Sequence, residues 1–584
     1  MIKMLSGNEA VARGAWEAGV AVASAYPGTP STEILEYLAR YPNVYAEWAP
    51  NEKVAVDVAV GAAYAGRRAL AAMKHVGLNV AADSFMYAAL TGAEAGLVII
   101  TADDPAMHSS QNEQDNRTFA KFGRVPCLEP SDSQEAKDMT IAAFGLSERF
   151  DTPVLVRLTT RICHSSTPVE LGERIEQSQA EIKKFPRNPT KYVMIPVNAV
   201  KRHFVTEQRM RDIAEMAETF PYNRIEPGER SLGIIANGVA YQYAKEVFPN
   251  ASILHLGMTW PLPEKLIRQF AASVERLIVI EELDPFIEEA VRLMGIPVEG
   301  KSIFPITGEF DPRVVRENAV RVGLLPVEAH VALSTVDVGP LPVRLPVLCP
   351  GCPHRSTFYV LGKLKLPVNG DIGCYGLGLE SPTGNVILTI GCMGASIGVA
   401  HGAARAGSPE RQVAVIGDST FFHTGIPALI NTVYNNTPVI TVILDNRTTG
   451  MTGHQGNPGN GQTLQGEGTT EIEIEPLVRA CGIKHVKTVE AFAVDEIETT
   501  LKEYAKLDEP SVLITREPCA LLPEGRKRWL PLEVIAELCN GCALCFRVAC
   551  PAILKSSELD EHYQRPKAII DAAICTGCEI CAQV

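Results

Sequence analysis

Residues 411–446, RQVAVIGDSTFFHTGIPALINTVYNNTPVITVILDN, decide the fold class. VAVIGDS reads as a buried strand closed by a tight turn, TGIPALINTVYNN as a helix, and PVITVILDN as the next strand. Two apolar strands joined by a helix of this length form a parallel βαβ unit. Asp418 and Asn446 then fall at the carboxyl ends of two parallel strands, where open α/β sheets bind their ligands. With 584 residues, the chain is long enough for several such cores.

The stretch resembles the thiamine diphosphate signature, G-D-G followed about thirty residues later by Asn. The resemblance implies a diphosphate neutralised by Mg²⁺, an ion that takes oxygen ligands in octahedral geometry. Asp418 and Asn446 would give side-chain oxygens and Thr448 a backbone carbonyl. Gly417 would let the backbone approach the phosphates, and Ser419 stands where the signature has its second glycine. The competing reading is a turn followed by an N-cap at Asp418. Upstream, TIGCMGASIGVAHGAARAG resembles the segment in which a bulky side chain bends the cofactor. Met393 is the candidate wedge there, against a glycine-rich helix packed closely on the sheet.

Fifteen cysteines are present, seven of them between 539 and 581. Cys539, Cys542 and Cys545 form one C-x₂-C-x₂-C run, closed by Cys550 and Pro551; Cys575, Cys578 and Cys581 form another. The pair of runs resembles a two-cluster bacterial ferredoxin, in which the fourth cysteine of each run serves the other cluster. By that resemblance Cys550 joins Cys575, Cys578 and Cys581 on one [4Fe–4S] cluster, and Cys539, Cys542 and Cys545 hold the second. The first run carries one extra residue before Cys550. The sequence ends at Val584 before a closing C-P, so a truncated terminus is expected. Zinc, which favours two separated ligand pairs, is the rival.

The formal charge of −14 argues against nucleic acid and anionic membranes as partners. MIKMLSGNEAVARG has no apolar signal core, and PVITVIL is only strand-sized, so a cytoplasmic location is expected, without membrane association.

Near the N-terminus, VYAEWAPNEKVAVDVAVGAAYAG puts Glu52 between a short strand and an Ala/Gly/Val helix. Thiamine diphosphate enzymes carry a glutamate in this setting, which protonates the aminopyrimidine at N1′; Glu33 and Glu47 are rivals, and Glu52 could serve the helix dipole alone. YPGTPSTEI resembles the opening motif of 2-oxoacid:ferredoxin oxidoreductases, in which Thr29 would contact the substrate carboxylate. The plain alternative is a Pro-rich loop in which Ser31 or Thr32 caps the next helix.

YPGTPSTE, NEKVA, MKHVGLN, SSQNEQDNR, LCPGCPHR, GDIGCYGLG, GDSTFFHTGI and the cysteine tail occur in one order. Together they resemble the alpha subunits of indolepyruvate ferredoxin oxidoreductases. That resemblance implies oxidative decarboxylation of aryl pyruvates with coenzyme A, giving aryl-acetyl-CoA, CO₂ and reduced ferredoxin. It also implies a smaller beta subunit, in a dimer of heterodimers. Cys349, Cys352, Cys374 and Cys519 fall where related enzymes hold a third, proximal [4Fe–4S] cluster, with free thiols as the alternative. Cys127, Cys163 and Cys481 read as ordinary buried cysteines, and Cys392 is unassigned. Pyruvate or branched-chain oxoacids are alternative substrates; a non-catalytic electron-transfer subunit and a non-redox decarboxylase are the other rivals.

The expected architecture is multidomain α/β. A pyrimidine-binding domain spans 1–180, a transketolase C-terminal-like domain 195–340, a diphosphate-binding domain 346–527, and a ferredoxin-like α+β domain 530–584. Both thiamine diphosphate domains are doubly wound. Residues 181–196 and 336–346 read as Pro-punctuated linkers, and the first and third domains share no visible sequence identity.

Overall fold

The structure, a computed structural model, describes residues 1–175, 186–326, 339–342, 346–380, 386–526 and 530–584. It comprises two compact units, Met1–Asp337 and Val338–Val584.

In the first unit the strands Val22–Ala25, Tyr45–Trp48, Ala69–Lys74, Leu97–Asp103, Cys127–Leu128 and Val154–Thr159 form a parallel sheet. Numbered in chain order they lie side by side as 2-1-3-4-6-5. The central strands are buried along their length because helices cover both faces. Met258–Trp260 adds an antiparallel edge strand. A second sheet follows: Leu277–Ile280, Glu229–Asn237 and Ala251–Leu256 run parallel, with Asn223–Glu226 antiparallel at the edge.

The second unit repeats the first topology. Val368–Gly370, Ile387–Ile390, Val413–Gly417, Ile440–Asp445, His485–Glu490 and Ser511–Arg516 are all parallel, again in the order 2-1-3-4-6-5. The kinship that sequence identity does not reveal is carried by strand order. The cysteine-rich end adds an antiparallel hairpin, Ile553–Leu559 with Pro566–Ile570. Its Val548 and Ile580 join one apolar core with Phe358, Val360 and Leu361.

Two local readings change. The linker read at 181–196 is partly helical: Pro189–Tyr192 forms a short helix and Pro196 opens the long helix Pro196–Ala217, proline being at home in a first turn. Residues 181–185, with 336–338 and 343–345 of the second linker, lie outside the described residues. Ser31 occupies the N-cap position without capping; its hydroxyl donates to Gly28 O, and Thr32 Oγ1 accepts from Gly28 N, so both staple the YPGTPS turn. Among the described residues no helix is long and apolar enough to cross a membrane.

Inside the first unit a buried ion network ties the two sheets together. Arg117, fully buried, meets Asp115 and donates to Glu281 at 2.6 Å and to the carbonyls of Glu282 and Asp284. Arg157 donates to Asp103 and Glu129, each at 2.6 Å. Glu282 has no such arginine: it accepts Phe310 N at 2.8 Å, and burial, with Glu309, pushes its pKa up from 4.5 to about 7. Between those values the folded chain binds the extra proton, so stability falls as pH rises and the loss is complete above about 7. The cost is on the order of 3 kcal/mol. Glu282→Gln keeps an acceptor for Phe310 N and removes the charge. It should raise the unfolding midpoint at about pH 8 and flatten the pH profile between about 5 and 7; an unchanged slope in thermal unfolding would contradict this assignment.

Candidate functional site

Two clusters of chemistry-bearing residues stand at the carboxyl ends of the two parallel sheets. In the first unit Glu52 opens the helix Glu52–Tyr64, behind Asn51, whose Oδ1 accepts Val54 N at 3.0 Å. Of the three candidate glutamates only Glu52 is buried, at 5 % exposure. Glu33 binds Asn8 on a half-exposed helix, and Glu47 accepts from Ser24 and Tyr45. The Glu52 carboxyl group lies on Gly77: a Cβ there would stand 2.7 Å from both its Cγ and its Oε1. Lys74, one turn earlier, rests its stem on Gly28 and donates from Nζ to Ser109 O at 2.9 Å. Burial lowers its pKa, while Asp104 and Glu52 act to raise it. The YPGTPS turn, with half-buried Thr29, is thus drawn to Lys74, and Lys74 to Glu52. His75 beside them is fully buried, with Nε2 3.2 Å from Asn112 O and Nδ1 unpartnered.

In the second unit the strand Val413–Gly417 runs directly into helix at Asp418. Gly417 is needed by a neighbour: a Cβ there would stand 2.6 Å from the Tyr375 ring. The loop after Ile440–Asp445 folds back over this helix start. Asn457 Nδ2 donates to Asp418 Oδ2 at 3.0 Å, and Thr449 Oγ1 to Ser419 Oγ at 2.9 Å. Asn446 is fixed at both ends of its amide, with Oδ1 accepting Thr448 N at 3.2 Å and Nδ2 3.4 Å from His354 Nε2. Burial pushes the His354 pKa down to about 4, so its ring is neutral and can accept. Burial, and then Asp445, push Asp418 up to about 7 against the Asn457 hydrogen bond. A buried carboxylate short of positive charge, beside an oriented amide oxygen and the buried Thr448, is a donor set that fits Mg²⁺.

Met393 is half-buried in the turn before the helix Ala395–Arg405; its carbonyl accepts Thr424 Oγ1 at 2.8 Å. Asp371 sets that turn, accepting Gly394 N at 2.8 Å and Ser396 N at 3.0 Å. Gly398 and Gly402 of this helix face open space, so they do not serve close packing on the sheet.

The cysteines gather in sets within the same unit. Burial, then Cys519 and Cys349, push Cys374 up to about 11. Burial pushes Cys352 up to about 12, with Cys349 and Cys374 adding to it. Cys519 is raised by burial and by Cys349, and its N–H donates to Asn446 O at 3.1 Å. Cys349 is therefore within electrostatic reach of Cys352, Cys374 and Cys519, beside the Asp418–Asn446 loops. Cys550, Cys575, Cys578 and Cys581 line a single small pocket. Cys581 is pushed up to about 11 by burial, then by Cys578, Cys550, Cys575 and Cys545. Burial raises Cys545, followed by Cys542 and Cys539, which gathers the third set. Among the described residues no three His, Cys, Asp or Glu side chains close to single-ion spacing; a cubic cluster holds its thiolates farther apart than that. Cys127 and Cys163 are buried; Cys481 is only half-buried and Cys392 is exposed.

Residues 13–229 match the family described as pyruvate flavodoxin/ferredoxin oxidoreductase, thiamine diphosphate-binding. Residues 371–515, beginning at Asp371, match the C-terminal binding domain of thiamine pyrophosphate enzymes. Indolepyruvate oxidoreductase subunit IorA of Archaeoglobus fulgidus is 42 % identical over 99 % of this chain and 96 % of its own. The chain belongs to the IorA family. The same-named subunit of Pyrococcus horikoshii is 41 % identical over 100 % of this chain and 95 % of its own. A solved 2-oxoglutarate:ferredoxin oxidoreductase from Magnetococcus marinus is 19 % identical over 55 % of this chain and 65 % of its own. Its TM-score of 0.46 is too low to add to that. The chain is thus an enzyme subunit of the thiamine-diphosphate-dependent 2-oxoacid:ferredoxin oxidoreductases, which decarboxylate 2-oxoacids oxidatively.

Sequence reasoning missed Asn457, Asp371 and His354. Asp371 and His354 lie inside quoted motifs, GDIGCYGLG and LCPGCPHR, whereas Asn457 carries no local signal. The placement of Glu52 on Gly77 is checked by a double-mutant cycle. Gly77→Ala should cost about 1–3 kcal/mol by overpacking, and most of that cost should vanish in a Glu52→Ala background. Simple additivity in denaturant unfolding would mean that the two residues do not touch.

Proposed function

We propose that this chain is the thiamine diphosphate and cluster-bearing subunit of an oxidoreductase that converts aryl pyruvates and coenzyme A to aryl-acetyl-CoA, CO₂ and reduced ferredoxin. The carrying observation is the proximity of the Cys349, Cys352, Cys374 and Cys519 set to the Asp418–Asn446 loops: Cys519 N bonds Asn446 O, and Asp418 acts electrostatically on both Cys374 and Cys519. A decarboxylase that merely protonates its product has no use for thiolates there. One that reduces ferredoxin must pass its electron pair on one electron at a time.

Thiamine diphosphate, when bound, supplies the nucleophilic carbon and the electron sink for loss of CO₂. Asp418, Asn446 and the Thr448 carbonyl would hold Mg²⁺ and through it the diphosphate. His354 and the Thr448 N–H keep the Asn446 oxygen turned one way, so no reorientation is needed on binding. Met393, half-buried on a turn that Asp371 fixes, would support the bent cofactor. Glu52, buried on Gly77, would hold the proton at N1′ of the aminopyrimidine. Thr29 would donate its hydroxyl to the substrate carboxylate, and Lys74 stands beside that turn. Cys349, Cys352, Cys374 and Cys519 would hold a proximal [4Fe–4S] cluster. Cys550 with Cys575, Cys578 and Cys581 would hold the next, and Cys539, Cys542 and Cys545 give three thiolates to a third.

A smaller beta subunit, in a dimer of heterodimers, completes the proposed enzyme; the relatives' designation as a subunit supports a partner. The domain limits 1–180, 195–340, 346–527 and 530–584, the ferredoxin-like nature of the last, and a cytoplasmic location belong to the same reading.

The decisive experiment is anaerobic viologen reduction by this chain with its small subunit, thiamine diphosphate, Mg²⁺ and CoA. CoA-dependent reduction strongest with indolepyruvate or phenylpyruvate is expected. Reduction with pyruvate or branched oxoacids alone would discard the aryl assignment. CO₂ release without viologen reduction would discard the electron path. Separately, Cys349→Ser should lower the iron content of the anaerobically purified chain by a whole cluster's share, or leave that cluster short of one iron. An unchanged iron count would remove the proximal cluster.

A further inference from the structure

We propose that Arg355 is a fixed positive charge shared by the two complete cysteine quartets, raising the reduction potential of the clusters they hold and so setting the electron step between them. This rests on the cluster reading above and names a residue that neither quartet contains.

Arg355 is 3 % exposed. Its Nε donates to Cys349 O at 2.9 Å and its Nη1 to Val548 O at 3.1 Å, with further bonds to Leu348 O and Ala549 O. All four acceptors are neutral carbonyls, two from the loop that carries Cys349 and Cys352 and two from the turn that precedes Cys550. Among the described residues no carboxylate pairs with it. Burial lowers its pKa, and Cys550, Cys352, Cys578 and Cys349, two from each quartet, act to raise it. A cation out of water is expensive unless something of opposite charge answers it. A tetrathiolate cluster carries net negative charge, which grows on reduction, so a cluster on either side supplies the missing partner. Net charge and hydrogen bonding around the sulfurs are what set such potentials.

The extra residue in the first cysteine run contributes to this arrangement. Ala549 sits in the left-handed region at φ 56°, a conformation a non-glycine residue takes only at a cost. That turn presents the Val548 and Ala549 carbonyls to the same guanidinium. Gly351, at φ 69°, brings the other loop close from its side; a Cβ there would stand 2.1 Å from Thr576 Oγ1, next to Cys575.

The test is an EPR-monitored redox titration of the full-length chain, purified anaerobically with its clusters, alongside Arg355→Gln and Arg355→Lys and with iron and sulfide analyses of each. Arg355→Gln should lower the reduced-to-oxidised ratio of these clusters about ten-fold at fixed poise, a shift of about 59 mV for a one-electron couple. Arg355→Lys, which keeps the charge and loses the four-carbonyl fork, should keep the unsubstituted potentials. If Arg355→Gln sheds iron and Arg355→Lys retains it at those potentials, the charge is again what matters. Unchanged potentials in an iron-replete Arg355→Gln protein would overturn the proposal. So would Arg355→Lys behaving as Arg355→Gln, or shedding its iron, since the residue would then be a backbone clamp only. No iron in the unsubstituted chain would remove the cluster reading itself, and this proposal with it.

Discussion

Negative charge gathered out of water is the constraint on the second unit, and its three buried aspartates meet it in three ways. Asp371 is surrounded by backbone N–H groups from Ile372, Gly394 and Ser396, which is enough to keep a carboxylate inside and to shape the turn it binds. Asp445 is answered by Arg516 at 2.7 Å. Asp418 has an amide from Asn457 and no cation of its own in contact, with Asp445 adding repulsion. Of the three, Asp418 is the one that burial and Asp445 push up to about 7. It stands where a parallel strand ends and a helix begins, where backbone N–H groups also favour an anion such as a phosphate. In the proposed function a divalent cation held by Asp418 would meet both demands.

The two parallel sheets share the strand order 2-1-3-4-6-5, yet the same topological position carries basic side chains in one and an acidic side chain in the other. After the third strand the first sheet places Lys74 and His75, and the second places Gly417 and Asp418. The scaffold fixes where a side chain will meet a ligand; residue choice decides what kind of ligand it is. In the proposed function the basic corner would serve the substrate carboxylate and the acidic corner the metal.

The parts of this arrangement that were legible in the sequence share a physical origin. The βαβ unit around Asp418 was readable because a strand covered on both faces is a continuous apolar run, and because Gly, Asp and Asn punctuate its ends. The cysteine runs were readable because thiolate spacing is local. What could not be read depends on contacts made across long stretches of chain. Asn457, 39 residues on in the chain, reaches Asp418 only because the loop after the strand Ile440–Asp445 doubles back. His354 orients Asn446 across 92 residues. Gly417 also serves a contact its local sequence does not show, since the ring that needs its missing Cβ, Tyr375, comes from another loop. The helix after Gly394 looked closely packed for its glycines, but they point outward. The shared strand order was hidden for a related reason, since buried parallel strands converge on the same few apolar residues in any sequence.

Electron transfer adds a demand that neither cofactor chemistry nor fold class makes alone: the carriers must stay at fixed separation. A flexibly tethered ferredoxin module would let that separation fluctuate. Here Val548 and Ile580, from the two cysteine turns of the tail, are buried in one core with Phe358 and Leu361. Val494 N donates to Gln583 Oε1 at 3.2 Å, and Arg355 joins the backbone of the Cys349 loop to that of the Val548–Ala549 turn. Apolar packing supplies the adhesion, which is non-directional. The guanidinium fork supplies the direction, since its donors are set at fixed angles. Together they pack what the sequence presents as an appended module onto the same core as the diphosphate domain. The spacing from the Asp418 corner through successive cysteine sets is then a property of the core rather than of a linker.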